Sequence, residues 1–312
     1  MKAALLFALI VGAAAPVLAQ PPAAPQPEAT NRFAATIAPA ERFEIRDMLV
    51  ERHGQGGRPL VLIPGLGGGS WVWQETVREF AGSQAVYVVT LPGFDGRPAP
   101  EGEPIEGARR ALSALIASRK LDRPVLVGHS LGGTLALALA AMQPGRIGGV
   151  VSIDGLPVFP GTEDVPPEAR LSVANGMRAR MAGMTGPAFA ARQRQTMRAI
   201  GVVDMQKGDA LAELSARSDP GAMADYAGGL AALDLRPSLA AIAAPVLVMA
   251  PWFALDAAGS GVTADQKLAY YRELMKGTPR LEVIAIDNAR HFAMFDQPRA
   301  VHDALRAFLK TL

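Results

Sequence analysis

Residues 125–134 read VLVGHSLGGT. An apolar run ends at Gly128, presents one hydroxyl at Ser130, and leaves through Gly132 and Gly133 into the helical pattern of residues 131–142. The string Gly128-His129-Ser130-Leu131-Gly132 is a G-x-S-x-G pattern, which gains meaning only when a strand precedes it and a helix follows. The chemistry needs that setting. Small residues on both sides let strand and helix press together around a strained turn, which holds the serine hydroxyl clear of the backbone. The turn also leaves the Leu131 N–H at a helix N-terminus, where negative charge on a reacting oxygen is stabilised.

Outward from this bend, short apolar runs alternate with helical patterns. Residues 60–63, 85–90, 124–127, 150–153, 246–249 and 281–286 are mostly apolar on both faces, as strands buried between helix layers are. Helices are predicted over 71–81, 105–119, 131–142, 263–276 and 298–312. Thr263 with Gln266 makes a capping-box pattern, and Gly277 is a stop signal. The alternation predicts an α/β fold with a doubly wound, mostly parallel sheet, whose sites lie at the carboxyl ends of the strands.

Residues 41–155 and 243–312 carry this alternation, and 156–242 interrupts it with helical segments punctuated by Gly and Pro. The interruption reads as a helical cap standing over the strand ends. Its first half holds Arg170, Arg178, Arg180, Arg192, Arg194 and Arg198, and its second half Asp204, Asp209, Glu213, Asp219, Asp225 and Asp234. One reading is a basic patch for anionic substrates. The balance of charge inclines to the other, in which the halves neutralise each other or face solvent. Met177, Met181 and Met184 recur at helical spacing, which suits core packing and also an adaptable apolar wall. Met177 and Met181 are therefore candidate pocket residues, as is Trp71.

The termini and the composition set further bounds. Lys2, the apolar run from Ala3 to Val11 and the small residues Val17 and Ala19 have the layout of a secretory signal peptide over residues 1–19, too short to span a bilayer. An exported protein, periplasmic or secreted and not inserted in the membrane after cleavage, is the expectation. Residues 20–40, rich in Pro and Ala, read as a flexible leader. The chain has no cysteine, which excludes disulfides, thiol catalysis and thiolate metal sites. Without Lys2, 30 basic side chains face 29 acidic ones, and no segregated basic stripe suggests nucleic acid.

From about Phe43 to the C-terminus the chain resembles the α/β-hydrolase fold superfamily. The segment Ile63-Pro64-Gly65-Leu66-Gly67-Gly68-Gly69-Ser70 sits where that family has a His-Gly oxyanion loop, with Pro64 in place of the histidine. Because the donor there is a backbone N–H, the resemblance implies Leu66 and Leu131 as the two oxyanion donors. Leu91-Pro92-Gly93-Phe94 also resembles the family's turn after its fourth strand. Of the four histidines, His129 lies inside the bend with its side chain turned from that of Ser130, His53 precedes the core sheet, and His302 sits within the last helix. His291 follows the final strand, in the loop where the family places its general base.

The acid departs from the usual pattern. Most relatives carry an aspartate shortly past the seventh strand, and here Phe253 occupies that slot. The family's other location is just after the sixth strand, where this chain has Asp154. The resemblance therefore implies a Ser130–His291–Asp154 triad, with Asp256 the alternative acid and Asp287 a third. A serine nucleophile favours acyl transfer through an acyl-serine, because an alkyl ether on Ser130 could not be hydrolysed as a carboxylate ester can. That disfavours epoxide hydrolysis and dehalogenation. A small, apolar ester-type substrate is expected, with no cofactor and no metal. Amide or aminopeptide hydrolysis and carbon–carbon bond hydrolysis use the same triad and stay open. So does a non-catalytic, ligand-binding member of the fold, since Phe253 stands in the acid slot.

Overall fold

The central strand of the molecule ends at the serine. In the computed structural model, which describes residues 31–312 apart from 182 and 185, β5 (Val125–His129) lies between β3 (Leu60–Ile63) and β6 (Gly149–Ile153). The other strands are β1 (Glu41–Ile45), β2 (Met48–His53), β4 (Val86–Thr90), β7 (Val246–Trp252) and β8 (Leu281–Asp287). They form one eight-stranded sheet in the order β1-β2-β4-β3-β5-β6-β7-β8. All pairings from β4 to β8 are parallel, and β1 and β2 join one edge antiparallel.

Every residue of β3, β4, β5 and β6 is buried, because helices cover both faces. Alternate side chains divide between two cores. Val61, Ile63, Leu126 and Val150 pack with α2 (Pro104–Ser118) and α3 (Leu131–Met142). Leu60, Leu62, Val125, Val127 and Val151 pack with α1 (Gln74–Phe80) and the C-terminal helix through Val301, Leu305 and Phe308. The hairpin β1–β2 falls outside the strands expected from apolar runs. As an edge, β1 alternates half-buried with exposed residues, and Arg42, Glu41 and Glu44 interrupt its apolar character. Arg46 takes a positive φ of 56° in its tight turn.

Between β6 and β7 the chain is helical: α4 (Pro167–Met181), α5 (Gly186–Thr196), a π turn at Met197–Gly201, α6 (Met205–Ser215) and α7 (Pro220–Ala232). The Asp204 and Asp219 side chains cap α6 and α7 by accepting backbone N–H groups, so these two carboxylates serve helix starts. After β7 come α8 (Ala254–Ser260) and α9 (Ala264–Leu274), the latter opened by the Thr263–Gln266 capping box. After β8 come α10 (Ala293–Asp296) and α11 (Pro298–Leu309).

The expected signal peptide and residues 20–30 of the expected leader lie outside the described residues. The leader's remainder differs from a flexible tether: Phe33, Ala34 and Ile37 pack against the core, and the backbone N–H groups of Thr36 and Ile37 donate to Gln74 Oε1 at 2.9 and 3.0 Å. Three apolar side chains within five residues give that segment something to bury. Among the described residues, no helix is long and apolar enough to cross a membrane.

Candidate active site

The bend from β5 into α3 is closed by contacts that only glycine permits. A Cβ on Gly128 would lie 2.2 Å from the Gly132 carbonyl, and one on Gly132 would lie 2.1 Å from Ile63 O. Ser130, between them, is held at φ 51° and ψ −118°, a conformation that side chains rarely adopt and that the surrounding structure must enforce. Its N–H donates to Ile153 O at 2.9 Å, tying the bend to the end of β6. As the first residue of α3, Leu131 has no preceding helical carbonyl to receive its N–H, so that donor is available at the strand ends.

Asp154 leaves β6 with a positive φ of 53°, and its N–H donates to Met249 O at 3.0 Å. The loop between β8 and α10 brings His291 to it: Nδ1 and Asp154 Oδ2 are 2.5 Å apart. With Nδ1–H donating to the carboxylate, Nε2 is left as the basic nitrogen. The hydroxyl of Tyr271, on α9, donates to the other oxygen, Oδ1. Burial works to raise the pKa of Asp154. The charge and hydrogen bond of His291, the charge of Lys267 and the Tyr271 hydroxyl outweigh it and hold the carboxyl below its usual range. Burial, then the adjacent carboxylate, pushes the Tyr271 phenol well up, which keeps it a donor.

The backbone of the His291 loop is itself braced. His291 N–H donates to Ile200 O at 3.1 Å and Phe292 N–H to Gly201 O at 2.8 Å, so the helical stretch after α5 grips this loop. His129 Nε2–H donates to the His291 carbonyl at 2.9 Å, and its ring lies 4.4 Å from that of Phe292. Burial first, and the neighbouring His291 second, depress the His129 pKa to about 3. It is therefore a neutral imidazole that supports the loop.

Ser130, His291 and Asp154 line a common cavity of about 490 Å³, together with Leu66 and Leu131. Met177 and Met181 of α4 line it from above. Among the described residues the Ser130 hydroxyl and the His291 imidazole are not hydrogen-bonded to each other; such contacts are often long before substrate binds.

Three sequence candidates lie elsewhere. Trp71 is 1% exposed and stacks on Phe292, with ring centroids 6.3 Å apart, because the turn Ser70–Trp73 directs it into the core beneath the His291 loop. It does not border the cavity. Asp256, on α8, chelates Arg290 at 2.6 and 2.8 Å. The Arg290 guanidinium also lies over the Phe253 ring, at 5.2 Å from its centroid, so this corner is filled by a cation and an aromatic. Asp287 is the exposed last residue of β8. Tyr271, by contrast, carried no signal in the sequence: a tyrosine on an amphipathic helix reads as packing until its hydroxyl is placed.

A parallel sheet with a strained serine at a strand–helix bend, and an imidazole–carboxylate pair in the loops that follow β8 and β6, defines a class with a hydrolytic site layout. The chain belongs to the alpha/beta hydrolase family, whose sequence pattern matches residues 60–304. It is 29% identical over 256 residues to the biotin biosynthesis bifunctional protein BioHC of Cellvibrio japonicus, covering 81% of this chain and 48% of that protein. It is 34% identical over 117 residues to the pimeloyl-[acyl-carrier protein] methyl ester esterase of Aeromonas salmonicida, covering 38% of this chain and 45% of the relative. The chain thus spans about half the length of these curated relatives. Among solved structures, E-2-(acetamidomethylene)succinate hydrolase shares the fold at a TM-score of 0.64 and 24% identity, over 86% of this chain and 98% of that one. A thermophilic esterase from Thermogutta terrifontis does so at 0.66 and 23%, over 87% and 99%.

Proposed function

We propose that the protein is a serine hydrolase that cleaves a carboxylic ester through an acyl-Ser130 intermediate. The observation that carries the reading is the 2.5 Å contact of His291 with Asp154 on the wall of the cavity that also holds Ser130. His291 Nε2 takes the Ser130 proton as the oxygen attacks the ester carbonyl, and Asp154 holds the imidazole in the needed tautomer and balances its charge. The oxyanion receives the N–H groups of Leu66 and Leu131, each worth roughly 3–4 kcal/mol in such sites. Collapse expels the alcohol with the proton from His291. Water, deprotonated by the same imidazole, then releases the acid. The family and the ester-cleaving relatives support an ester over an amide.

The test is direct. Chromogenic esters of graded acyl length should be hydrolysed by the wild type and not by Ser130→Ala, and a fluorophosphonate should label the former alone. Folded wild-type protein that neither reacts with the probe nor turns over any ester would leave a binding protein as the reading.

Export belongs to the same proposal. The n-region, apolar run and small residues of 1–19 support cleavage near Ala19 and a periplasmic or secreted enzyme. Mass spectrometry of the protein from an extracytoplasmic fraction should find it beginning near Gln20; an intact Met1 there would count against processing.

A further inference from the structure

The cap arginines separate into two groups. Arg170 pairs with Asp234 at 3.1 Å, Arg178 with Asp225 at 3.3 Å, and Arg198 with Asp209 at 2.6 Å. To that extent the two halves of the cap neutralise each other, as the charge balance suggested. Arg180, Arg192 and Arg194 differ: among the described residues none is in an ion pair, and of the three Arg180 and Arg192, both exposed, line the cavity that holds Ser130 and His291. They stand on different helices, Arg180 at the end of α4 and Arg192 within α5. Of the cap acids, Asp204 and Asp219 cap helices, while Asp234, Asp225 and Asp209 hold Arg170, Arg178 and Arg198.

The rest of the wall makes these two cations conspicuous. Met177, Met181, Met197 and Met223 contribute an apolar, deformable surface, with Leu156 and Val158 below. A guanidinium presents a planar fork of donors that matches a carboxylate in two parallel hydrogen bonds, stronger than neutral ones. A wall of this composition accommodates a hydrocarbon stretch and ends it on an anion.

We infer that Arg180 and Arg192 form a carboxylate-recognition subsite, and that the substrate is a monoester of a dicarboxylic acid whose free carboxylate docks between them while its ester carbonyl reaches Ser130. The inference rests on the esterase reading and narrows it from apolar esters in general to esters with an acidic far end.

A matched pair of substrates tests it: the 4-nitrophenyl monoester of adipic acid, and the same molecule with its free carboxylate capped as a methyl ester. Wild-type kcat/KM should favour the acid roughly ten- to a hundredfold, the range expected for hydrogen bonds to a charged group. The preference should fall as ionic strength rises. In Arg180→Gln/Arg192→Gln the ratio should approach one, with an unchanged melting temperature as the check on folding. Arg180→Lys/Arg192→Lys should recover part of it, and Arg194→Gln, outside the cavity wall, should keep it. A wild-type ratio of one or less, or a preference that survives the double glutamine substitution, overturns the inference.

The esterase reading fails separately, if neither substrate shows Ser130-dependent turnover. Calorimetry with Ser130→Ala then decides the subsite without catalysis. Tighter binding of the acid than of its capped twin supports it, and equal affinity overturns it.

Discussion

The phenol of Tyr271 donates to Asp154 Oδ1 while His291 Nδ1 engages Oδ2, so the carboxylate is held from both sides by elements far apart in sequence. Tyr271 thereby acts as a positioning residue. Tyr271→Phe keeps the ring and deletes one donor to a charged acceptor, an interaction worth roughly 1.5–3 kcal/mol. Turnover should drop about tenfold with KM nearly constant, since the loss falls on orientation of the imidazole. The acid limb of stability should move as well. Asp154 has a depressed pKa in the folded protein, so its contribution is present above the unfolded carboxyl value and disappears as pH falls through the folded one. With one donor gone the folded pKa rises. Circular dichroism against pH should show Tyr271→Phe unfolding at a higher pH than wild type.

Asp154 and Asp256 make opposite predictions. Asp154→Asn leaves an amide against His291 and favours the wrong tautomer, so kcat should fall by roughly three to four orders of magnitude. Asp256→Asn breaks a partly exposed pair with Arg290, for which the expected cost is about 0.2–1 kcal/mol. Its ester hydrolysis should stay within about twofold of wild type. A collapse of activity in Asp256→Asn, with Asp154→Asn intact, would exchange their roles.

The reach of the sequence follows from the kind of order each feature needs. The bend at Ser130 and the buried strands are local: an apolar run, two glycines and one hydroxyl specify them wherever they occur. The Asp154–His291 contact is legible because both residues follow parallel strands, β6 and β8, at the same end of the sheet with β7 between them, a matter of topology. Trp71 was misread for the converse reason. Its neighbours on the chain belong to the oxyanion loop, but a single 3₁₀ turn rotates the indole beneath Phe292, and rotation about a short turn leaves no periodic trace. The roles of Tyr271, Arg180 and Arg192 are set by which distant side chains meet, and composition alone cannot express that. The β1–β2 edge hid for a simpler reason, since its alternating charges mask a strand that buries one face only.

Glycine at the bend is required by contact distances. Gly132→Ala would place a methyl 2.1 Å from Ile63 O, and Gly128→Ala one 2.2 Å from the Gly132 carbonyl, both against backbone that cannot step aside. Either change forces strand β5 from helix α3, at a cost at or above the roughly 1–3 kcal/mol of ordinary overpacking. Denaturant titration should show a lowered midpoint with an unchanged slope, and fluorophosphonate labelling should disappear because Ser130 no longer stands at the crest. Gly145→Ala is the control. It has open space around its Cβ direction but a φ of 82°, so it should cost only backbone strain, about 1 kcal/mol, and leave labelling intact.

His129 should govern how stability responds to mild acid. It is neutral in the folded protein, with a pKa near 3, whereas the unfolded chain's imidazole titrates near 6.5. Below the unfolded value the unfolded state binds a proton that the folded state refuses. Stability is therefore full above about pH 6.5 and declines toward pH 3, by up to about 1.4 kcal/mol per pH unit for one such group. His53 and His302, whose pKa values burial also lowers, act in the same direction. His129→Gln retains a side-chain N–H that can reach the His291 carbonyl and removes one titrating group. Urea unfolding at a series of pH values should then show a slope between pH 6 and pH 4 shallower than wild type by close to one proton. An unchanged slope would mean that His129 takes up its proton without unfolding the protein, and that its contact with His291 is weaker than its burial implies.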